Sequence, residues 1–285
     1  MRIALIADVH SNILALEAVI KSIKKHSPDG IISLGDQVNL GPCPRETLAL
    51  LQAENVTCLH GNHERYILSA MAGDPGYVGA NFNSLRYNAS LLTPEEITFP
   101  KVLELEGAIF THAMPDDDRF PMYDERKALP LLRGKSFEKP THIFCGHGHN
   151  PTHIQMGHLT LDSIGSVGCM DDGVPGIAPY AMLTLSNGQS FLRPYYVSYD
   201  VRPMRRLFMD SGMADFCPIM AHLICLQMTL NQDFLVRFVE SALVLSEARG
   251  ERSISPETWQ AADAAFDWPD GVGTAAYWRK AAAER

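Results

Sequence analysis

Five short apolar runs in this chain each end in residues that commonly bind metal ions. Such runs, rich in branched residues and stopped by glycine or polar residues, are typical of buried strands. In open α/β sheets the carboxyl ends of the strands border one crevice, where ligands bind. The sequence therefore predicts that the polar residues after the runs converge on one place. The runs and the residues that follow them are 3–7 with Asp8 and His10, 31–34 with Asp36, 56–59 with Asn62 and His63, 108–110 with His112, and 143–145 with His147 and His149.

The spacing of the first three runs indicates repeated strand–helix–strand units. Asp36 lies 28 residues after Asp8, and Asn62 lies 26 residues after Asp36. Each interval is close to the roughly 30 residues of one βαβ unit, which places parallel strands in a sheet with helices on its faces. Asp8 and His10 stand two positions apart, so on an extended strand their side chains would point the same way.

Strands dominate the second part of the chain, and helices dominate its end. Short apolar segments predict further strands up to about residue 200, with Asn187 and Gly188 as a hairpin turn. Beyond that point the apolar spacing becomes helical. We therefore expect an α/β fold in which two mixed β-sheets pack face to face between helices over residues 1–200. A helical extension, packed on or near that domain, is expected over residues 201–285.

Composition and charge argue against several classes of protein. The net charge of −9 opposes nucleic-acid binding, which needs clustered basic residues. The six cysteines form no Cys-x-x-Cys pair, which indicates a reducing compartment. The chain shows no signal-peptide pattern at its start and no apolar stretch of the roughly 18–20 residues that span a membrane. We expect a cytoplasmic protein without a membrane partner, and a homo-oligomer stays open.

The polar residues after the runs suit a pair of transition-metal ions. They offer carboxylate and amide oxygens and imidazole nitrogens but no thiolate, a mixture that favours Mn, Fe, Zn or Ni over Ca or Mg. Asp36 has a carboxylate that can bridge two ions. Two ions about 3.5–4 Å apart can share a hydroxide and clamp phosphoryl oxygens during displacement. His63 adjoins Asn62, where it is placed to protonate a leaving oxygen or to stabilise charge on the phosphoryl group.

These motifs resemble those of the calcineurin-like metallophosphoesterase superfamily, and most of all those of its small prokaryotic phosphodiesterase branch. The resemblance covers roughly residues 1–200 and implies a four-layer αββα sandwich. It does not explain the helical extension. The segments that carry it are Asp8-x-His10, Gly35-Asp36-x(4)-Gly41, Gly61-Asn62-His63-Glu64, His112, Gly146-His147-Gly148-His149, and Gly165-Ser166-Val167-Gly168 followed by Asp171-Asp172-Gly173.

The resemblance also implies a role for each matching side chain. It implies two divalent or mixed-valence transition-metal ions, each held by three side chains of its own and joined by a shared carboxylate. It implies a separate catalytic histidine beside them. The implied assignments are Asp8, His10 and His149 for one ion, Asn62, His112 and His147 for the other, Asp36 as the bridge, and His63 as the catalytic histidine.

One departure from the superfamily bears on the substrate. Asn39 and Leu40 stand where its protein Ser/Thr phosphatases carry an Asp that pairs with the catalytic histidine and an Arg that grips phosphate. Without that bidentate clamp, protein phosphatase activity is disfavoured. We expect a phosphoesterase that hydrolyses small phosphomono- or phosphodiesters, nucleotides among them, through a metal-bridging hydroxide. Asn12, Asn39 and Arg65 are the candidate substrate contacts.

Three alternatives follow from the same residues. A hydrolase of dinucleoside polyphosphates, of the diadenosine tetraphosphate type, is suggested because the Gly-Pro-Cys-Pro turn at 41–44 looks like one in such relatives. A nuclease is disfavoured by the acidity of the chain. A non-catalytic scaffold of this fold would be expected to lose ligands, and none is missing here. The irregular segment 72–92, interpreted as an insertion, and the helical extension are expected to select the substrate.

Overall fold

Ten strands form two sheets in the computed structural model of the protein, which describes residues 1–113 and 141–283. Each sheet has five strands and mixes parallel with antiparallel neighbours. The strands are β1 Arg2–Ile6, β2 Gly30–Ser33, β3 Thr57–Cys58, β4 Val102–Leu105, β5 Ala108–Thr111, β6 Thr141–Cys145, β7 Thr152–Met156, β8 Leu159–Ser163, β9 Ile177–Ser186 and β10 Gln189–Ser198.

The strand order places the ends of the parallel strands together. The first sheet runs β10-β9-β1-β2-β3, and its strands β1, β2 and β3 are parallel. The second sheet runs β4-β5-β6-β8-β7, and its strands β5, β6 and β8 are parallel. Antiparallel strands complete both sheets, among them the β9–β10 hairpin, which turns at Asn187 and Gly188 as predicted. The carboxyl ends of β1, β2, β5 and β6 all lead into predicted ligands.

The helices follow local signals in the sequence. Asn12 caps the first helix by accepting a hydrogen bond from the Ala15 backbone N–H, and Ser255 caps another by accepting from Thr258. Three 3₁₀ turns lie within the insertion and directly after it, at Pro75–Tyr77, Ala80–Phe82 and Pro94–Ile97. The α-helices are α1 Ile13–Lys24, α2 Pro44–Ala53, α3 Asn62–Met71, α4 Asn83–Leu91, α5 Met204–Asp210, α6 Met213–Phe216, α7 Pro218–Leu230, α8 Leu235–Ala248, α9 Pro256–Ala265 and α10 Thr274–Ala283.

Two apolar layers hold the sheets in place. Side chains of both sheets meet in one cluster, where Leu5 and Leu183 of the first sheet lie with Phe110 and Phe144 of the second. A second cluster packs α1, through Leu16 among others, against the opposite face of the first sheet. These layers confirm the expected α/β sandwich of two mixed sheets flanked by helices. Within the described residues, no helix is long and apolar enough to cross a membrane.

The C-terminal helices form a third apolar cluster that also contains parts of the preceding domain. Leu40, Tyr87 and Cys169 belong to it together with the helices beyond residue 200. Helix α7 lies at its centre and is buried on nearly all sides from Ile219 to Met228. The sequence did not reveal this helix, because a helix that is apolar all round has no amphipathic period. The domain boundary at residues 200 and 201 stays a prediction.

Candidate metal centre

The predicted ligands lie beyond the strands rather than on them, Asn62 at the start of α3 and the others in loops. Strand β1 ends at Ile6, so Asp8 and His10 follow it in a loop with positive φ. The expectation that strand alternation aligns these two side chains is therefore wrong, because left-handed backbone turns direct them instead. Positive φ is uncommon for residues with a side chain and concentrates at functional sites. Five predicted ligands have it: Asp8 at 52°, His10 at 50°, Asp36 at 55°, His147 at 64° and His149 at 48°.

The first group of ligands consists of Asp8, His10 and His149. Their candidate ligand atoms all lie within 4.8 Å of one another. Asp8 Oδ1 is 4.0 Å from His10 Nε2 and 3.9 Å from His149 Nε2. The two Nε2 atoms face each other at 2.9 Å, and Asp8 and His10 are fully buried. Two imidazole nitrogens so close require a proton or a cation between them, so this geometry fits a metal position.

The second group consists of Asp36, His112 and His147, with Asn62 between the two imidazoles. The candidate ligand atoms of the first three also lie within 4.8 Å of one another. His112 Nε2 is 3.3 Å from Asp36 Oδ2. Asn62 Oδ1 is 2.7 Å from His112 Nε2 and 2.8 Å from His147 Nδ1. The Nδ1–H of His112 donates to the Leu34 carbonyl at 2.9 Å, so Nε2 is the nitrogen that can bind a metal once it has lost its proton.

Asp36 connects the two groups. It also belongs to a third set of possible ligands, with His10 and His63. A carboxylate that reaches both His10 and His112 lies where a bridging ligand is required. The donor set of carboxylate, amide and imidazole groups fits transition metals of the Mn, Fe, Zn or Ni type.

Burial and mutual charge shift the pKa values of these groups strongly. Burial raises the pKa of Asp8 to about 7, although nearby His112 and His149 oppose the rise. For Asp36, burial alone would raise the pKa, but His112 and His63 lower it well below its ordinary value. Burial would lower the pKa of His112, but Asp36 raises it to about 10. Buried carboxylates are therefore balanced here by imidazoles, which is the charge pattern that a bound cation replaces.

His63 lies beside the ligands with part of its ring accessible. Its side chain is 17% exposed, and its Nε2 is 3.9 Å from Asp36 Oδ2. Its backbone N–H donates to Asp36 Oδ1 at 2.8 Å. Asn39 Nδ2 donates to His63 Nδ1 at 2.8 Å, which leaves the ring proton on Nε2. Burial lowers the pKa of His63 to about 4, although Asp36 opposes this shift. The histidine is thus a neutral hydrogen-bond donor whose Nε2–H is directed towards the site.

Glu64 holds the loop that contains Asp36. Its buried carboxylate accepts hydrogen bonds from the backbone N–H groups of Asp36, Gln37, Val38 and Gly61, at 2.8 to 3.2 Å. All four donors are backbone groups, which favours the ionised form, although burial and the charge of Asp36 raise the pKa of Glu64 to about 8. The sequence comparison quoted Glu64 in a motif but gave it no role. Its place three residues after Gly61, as in a capping box, was the available signal.

Glycine is required at two positions where the backbone touches the ligands. A Cβ at Gly61 would lie 2.1 Å from Asp36 Oδ1, and one at Gly146 would lie 2.6 Å from Asp8 Oδ2. Real Cβ atoms do not approach oxygens so closely, so these glycines let the loops close around the carboxylates. They explain why glycine precedes both Asn62 and His147.

A carboxylate outside the predicted ligand set orients His149. Asp171 Oδ1 lies 2.9 Å from His149 Nδ1. Metal-binding histidines commonly donate their second ring nitrogen to such a carboxylate, which fixes the ring and its tautomer. The segment of Asp171 is one of the motifs that carry the family resemblance, but the sequence did not connect it with His149. An acidic residue some twenty positions after a ligand carries no signal of its own.

The three candidate substrate contacts differ in their surroundings. Asn12 is 1% exposed, and its side chain both caps α1 and donates to the Gly168 carbonyl at 2.8 Å, so its position is structural. Asn39 contacts His63 as described. The guanidinium of Arg65 lies 4.6 Å from the ring centre of Tyr66 and close enough to His63 to lower its pKa. Asn39 and Arg65 therefore stay candidates.

The fold and this site agree with the family that the sequence matches. The family model of the calcineurin-like phosphoesterases matches residues 1–177. The chain belongs to this family, and it is a metal-dependent phosphoester hydrolase. An uncharacterised protein of Methanocaldococcus jannaschii is 31% identical over 173 residues, which are 56% of this chain and 67% of that protein.

Two solved structures show the same fold. A metallophosphoesterase from Sphaerobacter thermophilus is similar with a TM-score of 0.61 at 24% identity, over 78% of this chain and 99% of that one. A hypothetical protein from Pyrococcus horikoshii is similar with a TM-score of 0.59 at 17% identity, over 80% of this chain and 98% of that one. At these identities the likeness concerns the fold alone.

Proposed function

We propose that the protein is a dinuclear phosphoesterase that hydrolyses small phosphomonoesters or phosphodiesters. The observation that supports this most strongly is the position of Asp36, which belongs to possible ligand groups on both sides of it. We assign Asp8, His10 and His149 to one ion. Asn62, His112 and His147 would hold the other. When bound, such ions neutralise charge on phosphoryl oxygens and make a water acidic enough to act as the nucleophile.

His63 would act on the oxygens of the substrate. Its Nε2–H faces the ligands, and Asn39 fixes the ring from the opposite side. From there it can donate a hydrogen bond to a phosphoryl or leaving-group oxygen as negative charge develops. A donor directed at developing charge contributes roughly 10²–10³ in rate.

A small substrate is favoured by the surroundings of Leu40. This residue, which replaces the phosphate-gripping arginine of protein phosphatases, is 7% exposed and packs in the apolar cluster of the C-terminal helices. The position therefore offers no cation to a phosphorylated protein chain. Arg65 is the candidate cation beside His63.

The test compares metal-free and metal-loaded protein on a panel of substrates. We expect chelator-treated protein to be inactive, and added Mn²⁺ to restore turnover on nitrophenyl phosphate or bis-nitrophenyl phosphate. A dinucleoside tetraphosphate and single-stranded DNA extend the panel to the alternative activities. His63→Ala should lower kcat by roughly 10²–10³, because the donor to the developing charge is lost.

The matched control is His158→Ala, which removes an exposed histidine remote from the ligands. It should retain wild-type kcat. The proposal fails if no substrate shows metal-dependent turnover and His63→Ala behaves like His158→Ala. If only the dinucleoside tetraphosphate is hydrolysed, the proposed substrate class is wrong, and the assignment of two metal ions stands.

A further inference from the structure

Gln227 reaches the metal centre from the helical extension, outside the part of the chain that matches the family model. It lies on α7, fifty residues beyond the end of the matched region at residue 177. Its Nε2 donates to Asp171 Oδ1 at 3.4 Å. The same oxygen accepts from His149 Nδ1 at 2.9 Å. A three-residue chain of contacts therefore joins α7 to a proposed metal ligand.

The orientation of the Gln227 amide is determined by its neighbour. The side chain is 4% exposed, and its Oε1 has no hydrogen-bond partner among the described residues. Turning the amide would satisfy nothing and would place Oε1 against the carboxylate of Asp171. The present orientation leaves Oε1 unpaired, which costs free energy, and gives Nε2 its contact with Asp171.

Asp171 needs such an anchor because it is not enclosed. Its side chain is 39% exposed, whereas that of His149 is 16% exposed. A half-exposed carboxylate can rotate into water, and His149 would then lose the partner that fixes its ring. A second donor on the same oxygen restricts that rotation.

The backbone around Asp171 is tied to the same end of α7. Asp233 N–H donates to the Asp171 carbonyl at 3.0 Å, and Gly173 N–H donates to the Asn231 carbonyl at 2.9 Å. Asn231, the left-handed C-cap of α7, donates its side-chain amide to the carbonyls of Val174 and Ile177. The extension thus fixes both the loop and the side chain.

We propose that Gln227 is a positioning residue that sets the metal affinity of the Asp8–His10–His149 position by holding Asp171 against His149. This inference rests on the proposed dinuclear function. The extension would then be part of the metal centre, and its docking would control one of the two ions and leave the other unaffected.

The experiment measures Mn²⁺ binding to chelator-treated full-length protein by calorimetry, with electron paramagnetic resonance to distinguish paired from single ions. Asp171→Ala should weaken one of the two binding steps roughly 10–100-fold, the usual range for loss of such a partner. Gln227→Met, which keeps the volume and removes the donor, should weaken the same step less than Asp171→Ala does, about tenfold, at the lower end of that range. The double variant should be no weaker than Asp171→Ala, because Gln227 acts through Asp171.

Gln260→Met, an exposed position on α9, is the matched control and should bind both ions as wild type does. Gln227→Asn, whose amide is one methylene too short to reach, replaces Gln227→Met if that variant does not fold. Wild-type protein that binds fewer than two ions would refute the dinuclear function itself. Three results would overturn only the role of Gln227. They are Gln227 variants that bind both ions with wild-type affinity, an equal weakening of both binding steps, and losses that add up in the double variant.

Discussion

The metal centre and the helical extension are both buried, but different forces hold them. In the metal centre, charged groups, left-handed backbone and glycines in contact with carboxylates are packed together. In the extension, aromatic rings pack against one another around α7 and α8, stacked at His222 and edge to face at Phe238. The first region contains strained backbone and buried charge, which a bound ligand can stabilise. The second gains most of its stability from apolar burial.

This difference predicts separate responses to substitution. Changes in the metal centre should remove activity even from protein that stays folded. Changes in the extension should lower stability with a limited effect on turnover by the protein that stays folded. Gln227 is the exception, because it lies in the extension and contacts the centre.

The largest effect is expected from Asp36→Asn. The amide cannot supply the negative charge that two bound cations share, so kcat/KM should fall on the order of 10³-fold or more, about 4 kcal/mol. The melting temperature without metal should fall as well, because the amide removes the charge that balances the buried imidazole of His112. Steady-state assays and thermal melts measure the two quantities. Asp267→Asn, at an exposed position of the extension, is the control, and equal activity of the two variants would contradict the bridging role.

Phe238→Ala tests the other region. Phe238 is fully buried, with ring centres of Trp259, Phe266 and Trp268 at 4.7, 5.0 and 5.8 Å. Removing the ring leaves a cavity, and we expect a loss of about 3–4 kcal/mol in the free energy of unfolding. Denaturant unfolding measures that loss, while kcat at 25 °C should stay close to wild type. Phe191→Ala, at a ring that is 61% exposed, should change neither quantity. A collapse of kcat in the folded variant would show that the two regions are not separate.

Glu64→Gln tests whether the loop of the metal centre depends on its internal anchor. The new NH₂ group would face backbone N–H donors, leaving part of the set from Asp36, Gln37, Val38 and Gly61 unsatisfied. Loss of such buried partners costs about 2–3 kcal/mol. We expect this loss in chemical unfolding together with weaker Mn²⁺ binding. Glu247→Gln on the exposed face of α8 is the control, and an unchanged unfolding curve for Glu64→Gln would contradict the anchor.

The ligands of the metal centre could be predicted from the sequence because each of them belongs to a short local pattern of residues. Metal binding needs particular residue types, and the strands that lead to them are short apolar runs with glycine or polar residues after them. The sequence therefore led to His147 and His149 without any alignment. The sequence did not reveal the orientation of the ligand side chains, because hydrogen bonds to distant segments impose the positive φ at Asp8 or His149. One such hydrogen bond runs from the Gly168 N–H to the Asp8 carbonyl.

The partners of the ligands and the packing of the extension could not be predicted in the same way. Asp171 and Gln227 are 56 residues apart, and no spacing rule links a loop carboxylate to a glutamine on a helix buried on nearly all sides. Helix α7 itself lacks a polar face. Contacts between distant segments are products of the tertiary fold, so only the structure shows them.

The smallest expected effect concerns pH and belongs to the extension. His222 is fully buried on α7, stacked between Trp268 and Tyr277 with ring centres at 4.0 and 3.8 Å. Its ring nitrogens lie 3.1 Å from Thr274 Oγ1 and 3.4 Å from Asp270 Oδ2. Burial lowers its pKa to about 4, while the charges of Asp270 and Asp263 oppose the shift and that of Arg205 adds to it.

A folded-state pKa of about 4 lies below the ordinary value of 6.5, so the unfolded chain binds the proton first as the pH falls. The contribution of neutral His222 is therefore complete above pH 6.5 and is lost progressively towards pH 4. With Asp270 partly compensating the charge, we expect about 2 kcal/mol of this loss in urea unfolding at pH 7.5, 6 and 5. His222→Phe keeps the stacking and removes the titration, so its stability should fall less than that of wild type over this range. His158→Phe, at an exposed histidine, should follow the wild-type curve. Parallel curves for wild type and His222→Phe would show that acid acts on the protein elsewhere, and the charged metal centre would then be the region that limits its stability at low pH.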